Sequence, residues 1–204
     1  MPPFFQPSLL MPIYKFTVNF HSHDPRASAY MREARALGFK NLQRITVQDL
    51  YFVEGQLSQE DCKQLTLKLL TDPVTQSALW TQLPSALSKP EADSVFVEVA
   101  LRPGVTDPVA EQIVRAAHEL GFDGVQRAAT GLKFQVEGLQ VEQVERLAKA
   151  LLVNNVIQHW ALGEIAPSFP QETESSGAVE TISIRELNDA ELLALHDALT
   201  TLAE

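Results

Sequence analysis

Two histidines form the pattern in this sequence that comes closest to a metal site. His21 and His23 lie two residues apart, and imidazole nitrogens are common zinc ligands. A zinc site needs three or four protein ligands, and no third ligand lies nearby in the sequence. The pattern favours solvated loop histidines, with a metal pair as the alternative.

Cys62 is the single cysteine of the chain. One thiol can form neither an internal disulfide nor a multi-cysteine metal site, which is typical of proteins from a reducing compartment such as the cytoplasm. Leu65 and Leu69 follow Cys62 at helical spacing, and no histidine motif accompanies it. The pattern favours a buried structural cysteine over a nucleophile.

The loop Arg102–Pro108 is a third candidate, because it leads into a predicted helix. Helix N-termini attract anions, so a phosphate could bind there. The Asp107 side chain can accept the same amide hydrogens as an N-cap, and the loop matches neither a P-loop nor a dinucleotide fingerprint. The sequence therefore favours a capped loop.

The remaining candidates indicate contacts rather than catalysis. Arg127 and Lys133 flank Gly131, a predicted turn residue, and the two tryptophans are interpreted as packing or interface anchors. No catalytic triad, paired-carboxylate motif or phosphate cradle occurs in the sequence, so no catalytic, cofactor-binding or metal-ligating residue is assigned. The candidate interface and loop residues are Arg102, Gly104, Asp107, Arg127, Gly131, Lys133, Trp80 and Trp160.

The elements that position these residues occur twice in the sequence. The segment Asp24-Pro25 recurs as Asp107-Pro108, and Leu37–Arg44 recurs as Leu120–Arg127, in both cases 83 residues later. The similarity runs without a gap from Tyr14 to Gly55 and continues with one residue deleted. We therefore predict an internal repeat.

Each copy predicts the order β-α-β-β-α-β. Asp and Pro begin the first helix as N-cap and N1, and a glycine ends it; Ser58 and Asp61 suggest a capping box for the second helix. The two middle strands are predicted as hairpins. These hairpins join Leu42–Thr46 to Leu50–Glu54 in the first copy, and Val125–Ala129 to Leu132–Glu137 in the second.

This order predicts an α+β fold with two ferredoxin-like units, each a four-stranded antiparallel sheet with both helices on one face. The bare faces need cover, so the copies should form a pseudo-dimer, either face to face or edge to edge. The predicted division is a flexible arm (1–12), repeat 1 (13–80), a linker (81–93), repeat 2 (94–165), a flexible linker (166–180) and an amphipathic helix (181–204).

Composition excludes several classes of function. The 204 residues carry a net charge of −10, and the 16 Lys and Arg residues are scattered. Nucleic-acid binding needs a basic patch, and a membrane helix needs about 18 apolar residues in a row, so neither partner is predicted.

Four segments of the second copy can be compared with known families: Val97–Pro108, Gly121-Phe122, Gly131–Val136 and Lys149–Ile157. In these segments the second copy resembles PurS, a subunit of phosphoribosylformylglycinamidine synthase. The first copy has the corresponding segment Leu69–Val74 but lacks the Pro-Gly loop and the hairpin glycine, so it resembles PurS more faintly. The tail segment Ile182–Leu195 is similar to the linker that opens the synthetase subunit PurL.

The resemblance implies the N-terminal part of a fused synthase of purine biosynthesis. The complete enzyme is an ATP- and glutamine-dependent C–N ligase that uses Mg²⁺. PurS is expected to bridge a PurL-type synthetase and a PurQ-type glutaminase for ammonia transfer, with no catalytic group or cofactor of its own. The chain is expected to be cytoplasmic.

Two other classes of function remain open at this point. Tandem ferredoxin-like domains of the ACT kind bind amino acids at a shared interface, and Gly104 lies in the loop that would bind them. A true enzyme on this scaffold lacks motif residues, although fold alone does not decide function.

Overall fold

The structure is a computed structural model that describes residues 11–22, 24–84 and 94–169, together with residues 188, 189, 192 and 193. His23, most of the predicted arm and most of both linkers lie outside these residues. The predicted tail helix also lies largely outside them: Leu192 donates to the Asn188 carbonyl at 3.0 Å, and the rest of that helix stays a prediction.

Twelve elements follow one another in the described part of the chain, and their order is the same in each half. A π-helical turn extends the second helix of each half, at Thr66–Leu70 and at Ala148–Leu152. The first half contains β1 (Ile13–Phe20), α1 (Pro25–Ala36), β2 (Arg44–Gly55), α2 (Gln59–Leu65) and β3 (Gln76–Leu83); the second contains β4 (Ser94–Leu101), α3 (Pro108–Glu119), β5 (Val125–Glu137), α4 (Val141–Leu147) and β6 (Gln158–Leu162).

The predicted helix ends are confirmed. Asp24 and Asp107 cap α1 and α3 with a proline at the start of each helix, and Ser58 forms a capping box with Asp61. Gly38 and Gly121 follow the two helices with φ of 94° and 86°, a conformation that L-residues with a Cβ rarely adopt. The α+β class is confirmed as well.

Both predicted hairpins are wrong, because one long strand stands in place of each. β2 pairs with β5 residue by residue from Arg44 to Glu54 without a shift of register, and no residue between Arg44 and Glu54 has a positive φ. Each half is therefore β-α-β-α-β. β3 also extends to Leu83, three residues into the predicted linker.

The six strands form one antiparallel sheet in the order β3-β1-β2-β5-β4-β6. The halves meet edge to edge, since β2 pairs with β5 from Arg44↔Glu137 to Gly55↔Val125. Of the two arrangements that the sequence left open, the structure therefore has the continuous sheet.

The helices cover one face of this sheet and exchange partners across it. α1 and α4 pack in one core cluster with Val97 and Phe134 of the second half. α2 and α3 pack in another with Phe16 of the first half and Val125 of the second. Each cluster thus combines a helix from each half, so neither half encloses a core of its own.

Among the described residues no helix covers the opposite face, and we call it the open face. Leu50, Phe52 and Ala129 lie at its centre. The chain that follows β6 crosses it, because Ile165 is buried against these residues and Phe169 packs beside them. Phe169, which was predicted to lie in the flexible linker 166–180, therefore belongs to the folded unit together with Ile165.

Candidate functional site

Asp107 fixes the loop between β4 and α3. Its Oδ1 accepts from the Ala110 amide at 3.0 Å, and its Oδ2 accepts from the amide and the hydroxyl of Thr130, both at 2.8 Å. The carboxylate is buried and already occupies the start of the helix, so this loop is a capped turn, as the sequence favoured. Arg102 donates to the Asn155 carbonyl, and Gly104 is exposed at φ 82°.

Replacing Asp107 with alanine is expected to lower the free energy of unfolding by about 2–3 kcal/mol, since one cap and two further hydrogen bonds are lost and the Thr130 amide loses its acceptor. Urea unfolding measures the change. Asp61→Ala removes the exposed capping box of α2 and is the control, with an expected loss of about 1 kcal/mol or less. Equal losses would contradict the buried role of Asp107.

The first half builds the same corner differently. Arg26 donates to Asp49 at 2.7 and 2.9 Å and to Asp24 at 2.8 Å. The hydrogen bonds that Arg26 donates to Asp49, and then those that it donates to Asp24, raise the pKa of Arg26. The positions of Arg26 and Asp49 are taken in the second half by Val109 and Leu132, 83 residues later, so an ion pair in one half corresponds to apolar side chains in the other.

Gly131 is not a turn residue, which corrects the sequence prediction. It lies inside β5 between Leu50 of β2 and Ala100 of β4. A Cβ built at this position would lie 2.5 Å from the Val99 carbonyl oxygen, closer than two such atoms approach in real structures. Glycine is required here because the neighbouring strand β4 approaches β5 closely at this position.

Lys133 faces the open side of the sheet. Its Nζ lies 4.2 Å from the centre of the Phe96 ring, a cation–π distance. Burial lowers the pKa of Lys133, while the Glu98 carboxylate acts in the opposite direction. Lys133 is thus part of a charged cluster rather than a rim residue of a hairpin.

The centre of that cluster was missed by the sequence prediction. Lys15 donates to Glu98 at 3.1 Å and to Glu164 at 2.8 Å, and Glu98 also accepts from the Ile165 amide at 3.0 Å. Lys15 is 5% exposed and Glu98 is 0% exposed. The sequence did contain a signal for this cluster, because Lys15 and Glu98 are charged residues at the same position of the two predicted first strands.

Arg127 forms an ion pair with Glu54 across the β2–β5 ladder. Its guanidinium carbon lies 5.1 Å from the centre of the Phe169 ring. Arg127 therefore connects the two halves and holds the segment after β6 at the same time.

Trp80 and Trp160 lie in the outer strands β3 and β6, at opposite edges of the sheet. Trp80 packs edge-on to Tyr14 with ring centres 6.1 Å apart, and Lys149 lies 5.9 Å from the Trp160 ring. Both indoles are partly buried against the core clusters. The packing role is observed, and an interface role stays a prediction.

Two loops present the most exposed valines of the described chain. In one, the Asp72 carboxylate accepts from the Val74 amide at 2.8 Å and Gln76 closes the turn; in the other, Asn154 accepts from Val156 at 3.1 Å. Val74 and Val156 are each 82% exposed. Each valine thus stands on a hydrogen-bonded loop.

Cys62 is fully buried beside Leu65 in the core cluster of α2 and α3. Burial, with the Asp61 carboxylate as a smaller cause, raises the pKa of the thiol to about 11. Among the described residues no group of three or more His, Cys, Asp and Glu side chains could hold a metal. His21 contacts the Val74 carbonyl at 3.3 Å, and the predicted pair cannot be compared because His23 is not described.

Native Cys62 is expected to react with a thiol reagent at pH 8 at least 100-fold more slowly than the unfolded chain, because a raised pKa leaves little thiolate and the side chain is inaccessible. The rate of reaction with an aromatic disulfide reagent, with and without urea, measures this ratio. Comparable rates would contradict the buried thiol.

A protein-family model matches part of this chain. Residues 94–163 match the family model described as PurS, phosphoribosylformylglycinamidine (FGAM) synthase. No curated protein sequence matches the chain. In the described part of the chain, no helix is long and apolar enough to cross a membrane. The matched segment covers all elements from β4 to β6, which supports a PurS-like domain over residues 94–163.

Proposed function

We propose that this chain is a tandem PurS module that bridges the glutaminase and the synthetase of phosphoribosylformylglycinamidine synthase. The observation that carries the proposal is the PurS match over residues 94–163. The chain is expected to act in purine biosynthesis, in the cytoplasm, and to contribute structure rather than catalytic groups.

Two observations support a second PurS-like copy in the first half. Both halves have the order β-α-β-α-β, with a π-helical turn after the second helix. The loops before β3 and β6 also form the same hydrogen bonds, in which Gln76 and Gln158 side chains accept from Asp72 and Asn154 amides at 3.0 and 2.8 Å. The two halves therefore share details that fold class alone does not require.

The chemistry of ammonia transfer explains why such an enzyme needs a bridge. Ammonia released into water is protonated and diffuses away, so the two active sites must be joined by a path that excludes water. ATP and Mg²⁺ belong to the PurL-type synthetase, and glutamine belongs to the PurQ-type glutaminase. A continuous six-stranded sheet suits this role, because its two ends can each hold one partner at a fixed distance.

The loops that carry Val74 and Val156 are the candidate contacts for the partners. They are equivalent in the two halves and expose an apolar side chain on a hydrogen-bonded turn. Exposed apolar side chains on rigid loops contribute to binding once a partner buries them.

The test is reconstitution with purified synthetase and glutaminase. The full chain is expected to co-elute with both and to raise glutamine-dependent FGAM formation at least tenfold, with little effect on the reaction supplied with ammonia. The variant V74D/V156D should lose most of this gain, and V141D, which alters a 45% exposed valine at the start of α4, is the matched control. A chain that neither co-elutes nor raises the glutamine-dependent rate would overturn the proposal.

A second measurement, the shift of the unfolding temperature with added small molecules, tests the ACT-like alternative. A single amino acid or nucleotide that raises the unfolding temperature strongly would favour a sensor. A cavity of about 310 Å³ between β2, β4, β5 and α3, lined in part by Tyr51 and Leu101, is where such a ligand would be sought.

A further inference from the structure

The β2–β5 ladder has an approximate twofold axis. Its pairs Arg44↔Glu137 and Glu54↔Arg127 exchange when each residue is replaced by its equivalent 83 residues away. Asp49 pairs with Leu132, the residue at the equivalent position of the other half. The axis therefore passes between Asp49 and Leu132, and the two halves are paired as the subunits of a symmetric dimer would be.

Lys15 and Glu98 are equivalent positions in this arrangement, since they too lie 83 residues apart. Their charges are opposite, and they form a 3.1 Å ion pair across the axis. Both side chains are buried, at 6% and 0% exposure. A symmetric dimer of identical halves could not form this pair, because the two positions would carry the same residue.

The ion pair depends on the association of the halves. β1 and β4 are separated by β2 and β5 in the sheet, a distance of about 14 Å between strand axes. The 3.1 Å contact therefore requires the open face to curve so that the two long side chains meet above it. Glu164 and the Ile165 amide complete the hydrogen bonds from the segment after β6.

Identical halves would bring like charges together. Two first halves would place Lys15 beside Lys15 and Asp49 opposite Asp49 in the ladder, and two second halves would place Glu98 beside Glu98. Buried like charges are strongly unfavourable, and such charges select between competing partners.

We propose that the Lys15–Glu98 pair makes each half specific for the other, so that the first half accepts a second half and rejects a copy of itself. The partner of this surface is thus the complementary half of the same chain. The two halves associate in this way whether or not the module bridges a synthase.

A charge-reversal cycle on the full chain tests the pair. Lys15→Glu and Glu98→Lys are each expected to lower the unfolding temperature by about 10 °C, as expected for a buried charge without its partner. The double variant K15E/E98K should recover at least half of the larger loss, with recovery limited by Glu164 beside position 15. Single variants as stable as the native chain, or a double variant without recovery, would overturn the proposal.

Mixing the two single variants tests partner choice directly. When K15E and E98K are unfolded and refolded together, each first half finds an opposite charge only in the other chain, so a 1:1 mixed dimer with exchanged halves is expected in native mass spectrometry. Native chains labelled with two isotopes should give no such dimer. Glu119→Lys, which creates like charges at the exposed Arg115 pair, is the matched control and should shift the unfolding temperature by less than about 2 °C. Mixed dimers formed equally by native chains, or absent from the variant mixture, would contradict the specificity.

Discussion

A chain that ends after Leu83 is expected to lose cooperative unfolding altogether. In the intact chain, Ala34 of α1 packs with Phe134 and Leu147 of the second half, and Cys62 of α2 packs with Ile113 of α3. Without those partners the first half exposes most of its core, and the loss exceeds the roughly 5–15 kcal/mol that stabilises an ordinary domain. Near-ultraviolet circular dichroism during a urea titration measures the result.

The complementary fragment and a mixture of both fragments complete this experiment. A fragment that begins at residue 85 is expected to behave like the first, whereas the two expressed together should assemble into a 1:1 complex with a cooperative transition. The intact chain is the reference for both. A monomeric fragment with its own sharp urea transition would contradict the interlocked cores.

Replacing Gly131 with valine is expected to lower the free energy of unfolding by about 3 kcal/mol or more, the second large effect that we expect. The new Cβ would lie 2.5 Å from the Val99 carbonyl oxygen, and both atoms belong to paired strands that cannot separate without losing ladder hydrogen bonds. Phe52 and Leu50 also lie within 3.6 Å of the Cβ position, so the side chain finds no space on the open face.

Gly104→Ala is the control for this measurement. Gly104 has a positive φ of 82°, but no atom lies within 4 Å of the position that a Cβ would take. The expected loss is therefore about 1 kcal/mol, which corresponds to the cost of a left-handed residue with a Cβ. Urea unfolding of both variants measures the difference, and equal losses would show that close strand packing is not the reason for glycine in β5.

The position of Gly131 also bears on the proposed bridge. Gly131 lies in β5, the strand that pairs with β2 to join the halves, and the buried ion pair of Lys15 and Glu98 lies on the open face of the same sheet. Close strand packing and a buried ion pair on the open face thus both act at the junction between the halves. A rigid junction is what a bridge between two active sites requires.

Local chemistry was enough to predict where the helices begin and end. Asp24 and Asp107 satisfy the first amides of α1 and α3, and Gly38 and Gly121 take the left-handed conformation after them. These signals act over four or five neighbouring residues, so the sequence alone contains them. The same holds for the buried thiol of Cys62, which follows from the apolar residues at helical spacing around it, and for the PurS resemblance of the second half, which the family match confirms.

Only the tertiary structure decided how long the middle strands are and which elements share a core. Gly131 carried a turn signal, but close approach of β4, rather than a turn, is what requires glycine there. Lys15 and Glu98 lie 83 residues apart, and no local pattern distinguishes a buried pair from two solvated charges. The sequence by itself determined the caps and the positions of the helices, and it indicated the repeat that we infer. The tertiary structure decided the single long middle strands, the edge-to-edge sheet, the exchange of helices and the buried pair, because those contacts join residues whose proximity depends on how the two halves pack.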